Sequence, residues 1–145
     1  MDATCTYLFG SEVYASDADC GELRQVMVEP ALPRVTDLVA FSIAEGVVRL
    51  VPITLARSSE LGVLVDCERD QLVSRPPAAM AEPSGTAVAV GRGELVRRRD
   101  GPDGHVEGFV VYRDDGEITQ VLVAAGPWWR RRHLAIPVEQ VLALG

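Results

Sequence analysis

The sequence contains no lysine, and each of its 14 basic residues is an arginine. With 21 acidic residues the formal net charge is −7, which argues against general nucleic-acid binding because a polyanion must meet positive surface. The negative charge lies in residues 1–91, which contain six arginines and thirteen acidic residues. Residues 92–145 contain eight of each, so their formal charges sum to zero. The complete absence of lysine is typical of a compositional bias rather than of a selected site.

Residues that carry chemistry are also scarce. The three cysteines, Cys5, Cys20 and Cys67, form no CxxC pair, which argues against a disulfide framework and against a zinc site. This cysteine usage favours a reducing, cytoplasmic setting. The two histidines, His105 and His133, stand in no spacing that marks a metal or catalytic motif.

Long apolar runs are missing as well. No uninterrupted run approaches the ~20 residues of a membrane helix, and MDATCTYLFG lacks the basic and apolar regions of a signal peptide. We therefore expect neither a signal peptide nor membrane insertion. The stretch DADCG departs from a calcium loop because its glycine comes one residue early. Since no acid/base or nucleophile set is visible, we expect a non-catalytic protein without cofactor or metal.

The sequence does contain many short runs rich in valine and leucine, separated by glycine, proline and aspartate. Such runs are typical of antiparallel strands and their turns. Segments of helical spacing follow Pro52 and Pro137, and proline suits the first turn of a short helix. We therefore predict an all-β fold with short helical turns after these prolines. The predicted strands are Leu23–Val28, Val35–Phe41, Val47–Val51, Gly62–Asp66, Val106–Tyr112, Ile118–Ala124 and His133–Ile136.

These runs form two matching sets. Identical residues recur at an offset of 83, and the proline that ends the last strand recurs at an offset of 85. We predict two β repeats, residues 1–75 and 86–145, joined by a Pro/Ala-rich linker at 76–85 and packed with pseudo-two-fold symmetry. Neither repeat could bury its apolar face alone. The matching pairs are Asp17 with Asp100, Gly21 with Gly104, Val28 with Val111, Thr36 with Thr119, and Pro52 with Pro137.

The segment that begins each matching set has the composition of a turn. In DADCG at 17–21 and DGPDG at 100–104, the leading aspartate can bond nearby backbone amides, and the closing glycine can supply a positive φ. We therefore assign Asp17, Gly21, Asp100 and Gly104 structural roles. In each set two strands follow and form a hairpin, joined by EPALPR in the first set and by RDDGE in the second.

Taken together, GSEVY at 10–14, RVTDLV at 34–39 and VPI at 51–53 resemble the PRC-barrel domain. The second set, DGHVEGFVVYRDDGEITQVLV followed by GPWWRRRHLAIPVEQV, is more similar still. The resemblance covers about residues 8–66 and 86–143. It implies two PRC-barrel-like β repeats, which either close on one another or form paired barrels, and a role as an assembly module on a larger complex.

The segment GPWWRRRH holds both tryptophans. Members of the family often carry a tryptophan and basic residues before an Ile-Pro pair, so the resemblance implies that Trp129 packs over the barrel rim as a structural ring. Adjacent residues on an extended segment point to opposite sides, so Trp128 should face outward. We assign interaction roles to Trp128, Arg130 and Arg131. The first set has no such tryptophan and should lack this function.

A second basic stretch precedes the second aspartate turn. On a strand, Arg97 and Arg99 share one face and Arg98 takes the other. We include Arg97 and Arg99 among the interaction residues. The alternative is a solvent-exposed strand edge protected by charge.

These observations favour a cytoplasmic PRC-barrel adaptor that binds a protein partner of unknown identity and forms a homodimer. One alternative is a small-ligand-binding module that uses the Trp/Arg segment. The other is a factor associated with RNA or a ribonucleoprotein, although the net charge makes nucleic acid the less favoured partner.

The scarcity of metal-ligating residues generates the first prediction. Removal of divalent ions with a chelator should leave the thermal midpoint unchanged, because no ligand cluster would be lost. A melting curve with and without chelator measures this, and a fall of several degrees would contradict it.

Overall fold

The computed structural model describes residues 3–77, 86–99, 101 and 103–144. In these ranges the fold is all-β, as predicted, and contains no α-helix. Strands β1 to β8 are Thr4–Leu8, Glu12–Tyr14, Asp19–Glu29, Arg34–Ser42, Val47–Pro52, Ala56–Ser59, Gly62–Val65 and Val73–Arg75. Strands β9 to β14 are Val88–Gly91, Leu95–Arg98, Gly104–Tyr112, Ile118–Ala125, Arg132–Pro137 and Val141–Leu144.

Among the described residues, helical structure is limited to single 3-10 turns. Pro52 and Pro137 each precede such a turn, with φ values of −55° and −54°, which confirms the short helical turns predicted there. Because β6 and β14 begin directly after them, neither turn extends into a longer helix. The turns are Ile53–Leu55, Arg69–Gln71, Trp128–Arg130 and Val138–Gln140. No helix among the described residues is long and apolar enough to cross a membrane.

The strands form two sheets. One has the order β6-β7-β2-β3-β4-β5-β8, and β9 also pairs with β3; the other has the order β13-β12-β11-β10-β14, and β1 also pairs with β11. Each sheet is thus built on a long strand, β3 or β11, that pairs with three others. One core cluster contains buried side chains from both sheets, and in it Phe9 and Phe109 meet edge to face with ring centroids 6.2 Å apart.

The two central hairpins share one register at the offset of 83. In β3–β4, Val26 pairs with Leu38; in β11–β12, Phe109 pairs with Val121. Both hairpins contain two register shifts, which follow Leu23 and Met27 in β3 and Val106 and Val110 in β11. Identical local pairing is what a sequence repeat should produce. The superposition of whole halves in space stays a prediction, as does the division at residues 76–85, of which 78–85 lie outside the described ranges.

The first strand of each half pairs with the long strand of the other half. Tyr7 in β1 pairs with Phe109 in β11, and Val90 in β9 pairs with Val26 in β3. The hairpin tips also meet: Val35 N donates to Gly116 O at 2.8 Å, and Ile118 N donates to Pro33 O at 2.9 Å. These bonds make the two sheets one interlocked structure.

The paired threonines have the same structural role. Thr36 Oγ1 donates to Met27 O at 3.4 Å, and Thr119 Oγ1 donates to Val110 O at 3.1 Å. Met27 and Val110 each stand beside the second register shift of their hairpin. A β-bulge leaves backbone groups without a hydrogen-bond partner on the neighbouring strand. In each hairpin the threonine hydroxyl therefore supplies a donor to the carbonyl beside the register shift.

The first aspartate turn differs from the prediction. Gly21 has a φ of +104°, as expected, but its amide donates to Asp19 Oδ1 at 2.6 Å. The carboxylate of Asp17 instead accepts from the Arg69 amide at 2.8 Å, across 52 residues. The predicted local role of Asp17 was therefore wrong, since Asp19 lies two residues before the glycine and forms the shorter Asx-type turn.

The second glycine was also misinterpreted. Gly104 begins β11 and has no positive φ. It is required for space, because a Cβ there would lie 3.1 Å from the Cβ of Val123 in β12. Asp100 lies outside the described residues.

Gly21 provides the second prediction. A Cβ at Gly21 would lie 2.0 Å from Phe41 O, whereas a Cβ at Gly46, with φ +65°, would meet nothing within 4 Å. Gly46→Ala should cost about 1 kcal/mol through backbone strain alone. Gly21→Ala should cost roughly 3 kcal/mol or more, because overlap is added to strain. Denaturant melts of both variants measure the difference, and equal losses would contradict it.

Candidate functional site

The candidate site is the turn between β12 and β13, which we call the Trp/Arg turn, residues 126–131. In the first half, Ser42 pairs with Val47 and four residues, 43–46, connect the strands; here Ala125 pairs with Arg132 and six residues connect them. The two additional residues allow a 3-10 turn at Trp128–Arg130, closed by a bond of 2.9 Å from Arg130 N to Pro127 O.

Both tryptophans of this turn are exposed. Trp128 is 81% exposed and Trp129 is 70% exposed, and their rings meet edge to face with centroids 5.7 Å apart. The prediction that Trp129 packs inward was therefore wrong. Its premise was an extended segment, whereas consecutive residues of a 3-10 turn do not point to opposite sides. The two indoles form one outward-facing aromatic pair.

The arginines around the turn are arranged differently from the prediction. A cleft of about 530 Å³ beside the turn is lined by Arg98, Arg130 and Arg132. Arg131, Arg97 and Arg99 are exposed but do not line it. Strand β10 ends at Arg98 and has a register shift between Arg97 and Arg98, so regular alternation does not extend over 97–99, and Arg98 is the member that lines the cleft. It could have been found only by knowing that β10 lies in the same sheet as β12.

Arginine pairing differs between the two halves. Arg49 is buried, and its guanidinium bonds Glu45 through both nitrogens, at 3.2 and 3.0 Å. Arg49 holds the pKa of the Glu45 carboxyl below its usual range, chiefly through these hydrogen bonds. Among the described residues, no ion pair involves the arginines at 130–132. Their charges are available to a partner.

Strand β13, which follows the turn, has an open edge. Within the described ranges it pairs only with β12, whereas its counterpart β5 pairs with β4 on one side and with β8 on the other. His133, on this strand, lies with its Nδ1 2.7 Å from Glu107 Oε1, a contact that the sequence did not predict. An open edge beside exposed aromatic and basic side chains is suited to adding a strand from another protein.

Among the described residues, the cysteine thiols are poorly placed to act as nucleophiles. Cys5 and Cys20 are buried and Cys67 is partly buried. Burial raises the pKa of the Cys20 and Cys67 thiols, which disfavours the reactive thiolate. No group of three metal-ligating side chains occurs within the described ranges.

Comparison with known proteins adds no assignment. No family model matches the sequence, and no curated protein matches it. The resemblance to PRC-barrel domains therefore rests on the quoted motifs.

Exposure of the tryptophans generates the third prediction. Trp128→Ala and Trp129→Ala should each lower the free energy of unfolding by about 1 kcal/mol or less, since mainly the edge-to-face contact is lost. Phe109→Ala, at a fully buried ring, should cost about 3–5 kcal/mol. Denaturant melts of the three variants measure this. A large loss for either tryptophan variant would show that its ring is buried in solution.

Proposed function

We propose that the protein is a non-catalytic cytoplasmic adaptor of the PRC-barrel type that binds a protein partner through the Trp/Arg turn. The observation that carries the proposal is the adjacent exposed pair Trp128 and Trp129. Tryptophan and arginine are enriched at interface hot spots, and contiguous exposed apolar side chains mark interaction sites.

The charge of the turn defines the chemistry of the partner. Arg130, Arg131 and Arg132 are exposed and follow the two indoles directly. Planar guanidinium groups bind carboxylates in a bidentate manner. The open edge of β13 favours an extended segment, whose backbone would pair with the strand while its side chains meet the turn. The proposed partner therefore presents an acidic, extended segment with apolar residues.

Self-association is part of the same proposal. Residues 1–91 carry a formal charge of −7, so a second copy of the chain can present carboxylates to the turn. We propose a homodimer in solution, for which two-fold symmetry is the common arrangement.

One further candidate function has a specific observation in its favour. The cleft lined by Arg98, Arg130 and Arg132 is large enough for a small anionic molecule. Such binding would weaken with salt but would not require the open edge of β13. Binding of RNA would show the same salt dependence together with sensitivity to nuclease.

The fourth prediction tests the adaptor. At tens of micromolar, light scattering should give a dimer mass for the wild type and a monomer mass for the double variant Trp128→Ala/Trp129→Ala. Proteins captured by the wild type from native lysate should be lost with the double variant and with Arg130→Ala. The matched control is Ile43→Ala/Leu61→Ala, which removes two side chains that are 76% and 75% exposed elsewhere.

The control should retain both the dimer mass and the captured proteins. If the double variant also retains both, the turn is not the interface. Capture that disappears after nuclease treatment would favour RNA over a protein partner. Saturable binding of inorganic phosphate or a dicarboxylate, abolished by Arg98→Ala, would favour the small-ligand alternative.

A further inference from the structure

A second concave site lies between the two sheets, away from the residues of the Trp/Arg turn. It is a pocket of about 280 Å³. Val28 and Val90 line it from β3 and β9, and Ile118, Val121 and Val141 line it from β12 and β14. The first two strands belong to one sheet and the last two to the other. An occupant would therefore contact both sheets at once.

The offsets of 83 and 85 match lining residues of this pocket with residues of the other half. The counterpart of Val90 is Tyr7, because Val90 pairs with Val26 as Tyr7 pairs with Phe109. The Tyr7 ring is 2% exposed and belongs to the main core cluster. Ile53, the counterpart of Val138, is also buried in that cluster. One half thus supplies its own aromatic ring at this position, and the other half supplies valine.

The lining of the pocket defines the charge of its occupant. None of the described residues that line it carries a charged side chain. A charged group would lose its hydration there without gaining a partner, so the occupant is neutral. Two side chains of the lining, Val88 and Leu142, are 42% and 60% exposed, and they leave an apolar entrance.

The volume of the pocket limits the size of its occupant. An apolar cavity of roughly 150 Å³ suffices to hold benzene, and ligand pockets begin near about 300 Å³. The space therefore suits one ring or two fused rings.

We propose that this pocket is a binding site for a small neutral aromatic molecule, which takes the place that Tyr7 fills in the other half. The site is independent of the Trp/Arg turn, so it stands or falls separately from the adaptor function.

The fifth prediction tests this with benzene and indole as probes. NMR titration should show saturable one-to-one shifts of the methyl signals of Val90, Val121 and Val141, and the thermal midpoint should rise with probe concentration. Benzoate, the charged counterpart of benzene, should bind at least about tenfold more weakly because it must shed its hydration.

Substitutions distinguish probe binding in the pocket from nonspecific binding to apolar surface. Val90→Phe should weaken probe binding at least about tenfold, because the new ring occupies the site as Tyr7 does, without a hydroxyl to satisfy. If that variant does not fold, Val88→Phe blocks the entrance from a half-exposed position. The matched control, Val73→Phe, makes the same change on an exposed strand position, and should bind as the wild type does. Absence of saturable methyl shifts, or equal weakening by the control, would overturn the proposal.

Discussion

The exchange of first strands between the halves is the constraint on which the rest of the structure depends. Strand β1 completes the sheet built on β11, and β9 completes the sheet built on β3. The exchanged strands are short, and their hydrogen bonds form only when both halves are present. Short antiparallel sheets are marginal alone. Folding of each half therefore requires the other, and the main core cluster draws on both sheets.

The differences between the halves explain where the candidate sites lie. In the first half β7 lies between β6 and β2, and β8 covers the edge of β5. In the second half β14 pairs directly with β10, and within the described ranges β13 keeps an open edge. Tyr7, on the exchanged strand β1, is buried beside β11, whereas Val90, on the exchanged strand β9, lines the pocket beside β3. The second half thus presents an open edge and an aromatic turn, and the pocket lies between the two sheets.

Much of this fold could be predicted from the sequence because its signals are local. Runs of valine, prolines at strand ends and identical residues at a fixed offset predicted the strands, the two helical turns and the matching hairpins. The exchange of β1 and β9 could not be predicted, because nothing in TCTYL or VAVG specifies a distant partner. The inward packing of Trp129 was predicted wrongly because the local conformation of PWWRRR, a 3-10 turn, was taken as extended, whereas Trp128 is exposed as predicted. Arg98 was missed because the residues that line the cleft with it come from β12, β13 and the turn between them, which lie far from it in sequence.

The exchange of β1 and β9 leaves the distribution of charge between the halves unchanged. The exchanged strands β1 and β9, TCTYL and VAVG, contain no charged residue. Their exchange therefore moves no charge from one half to the other. The acidic excess of −7 stays with residues 1–91, and the arginines at 130–132, which form no ion pair with another described residue, stay at and beside the Trp/Arg turn. An acidic partner would therefore be repelled by the acidic part of the chain, residues 1–91, and attracted at the Trp/Arg turn. Such asymmetry orients a partner before contact, because long-range fields act on the encounter and screening limits them to about 8–10 Å. In the proposed complex the arginines would orient the approach, and the two indoles would supply the buried area that stabilises it.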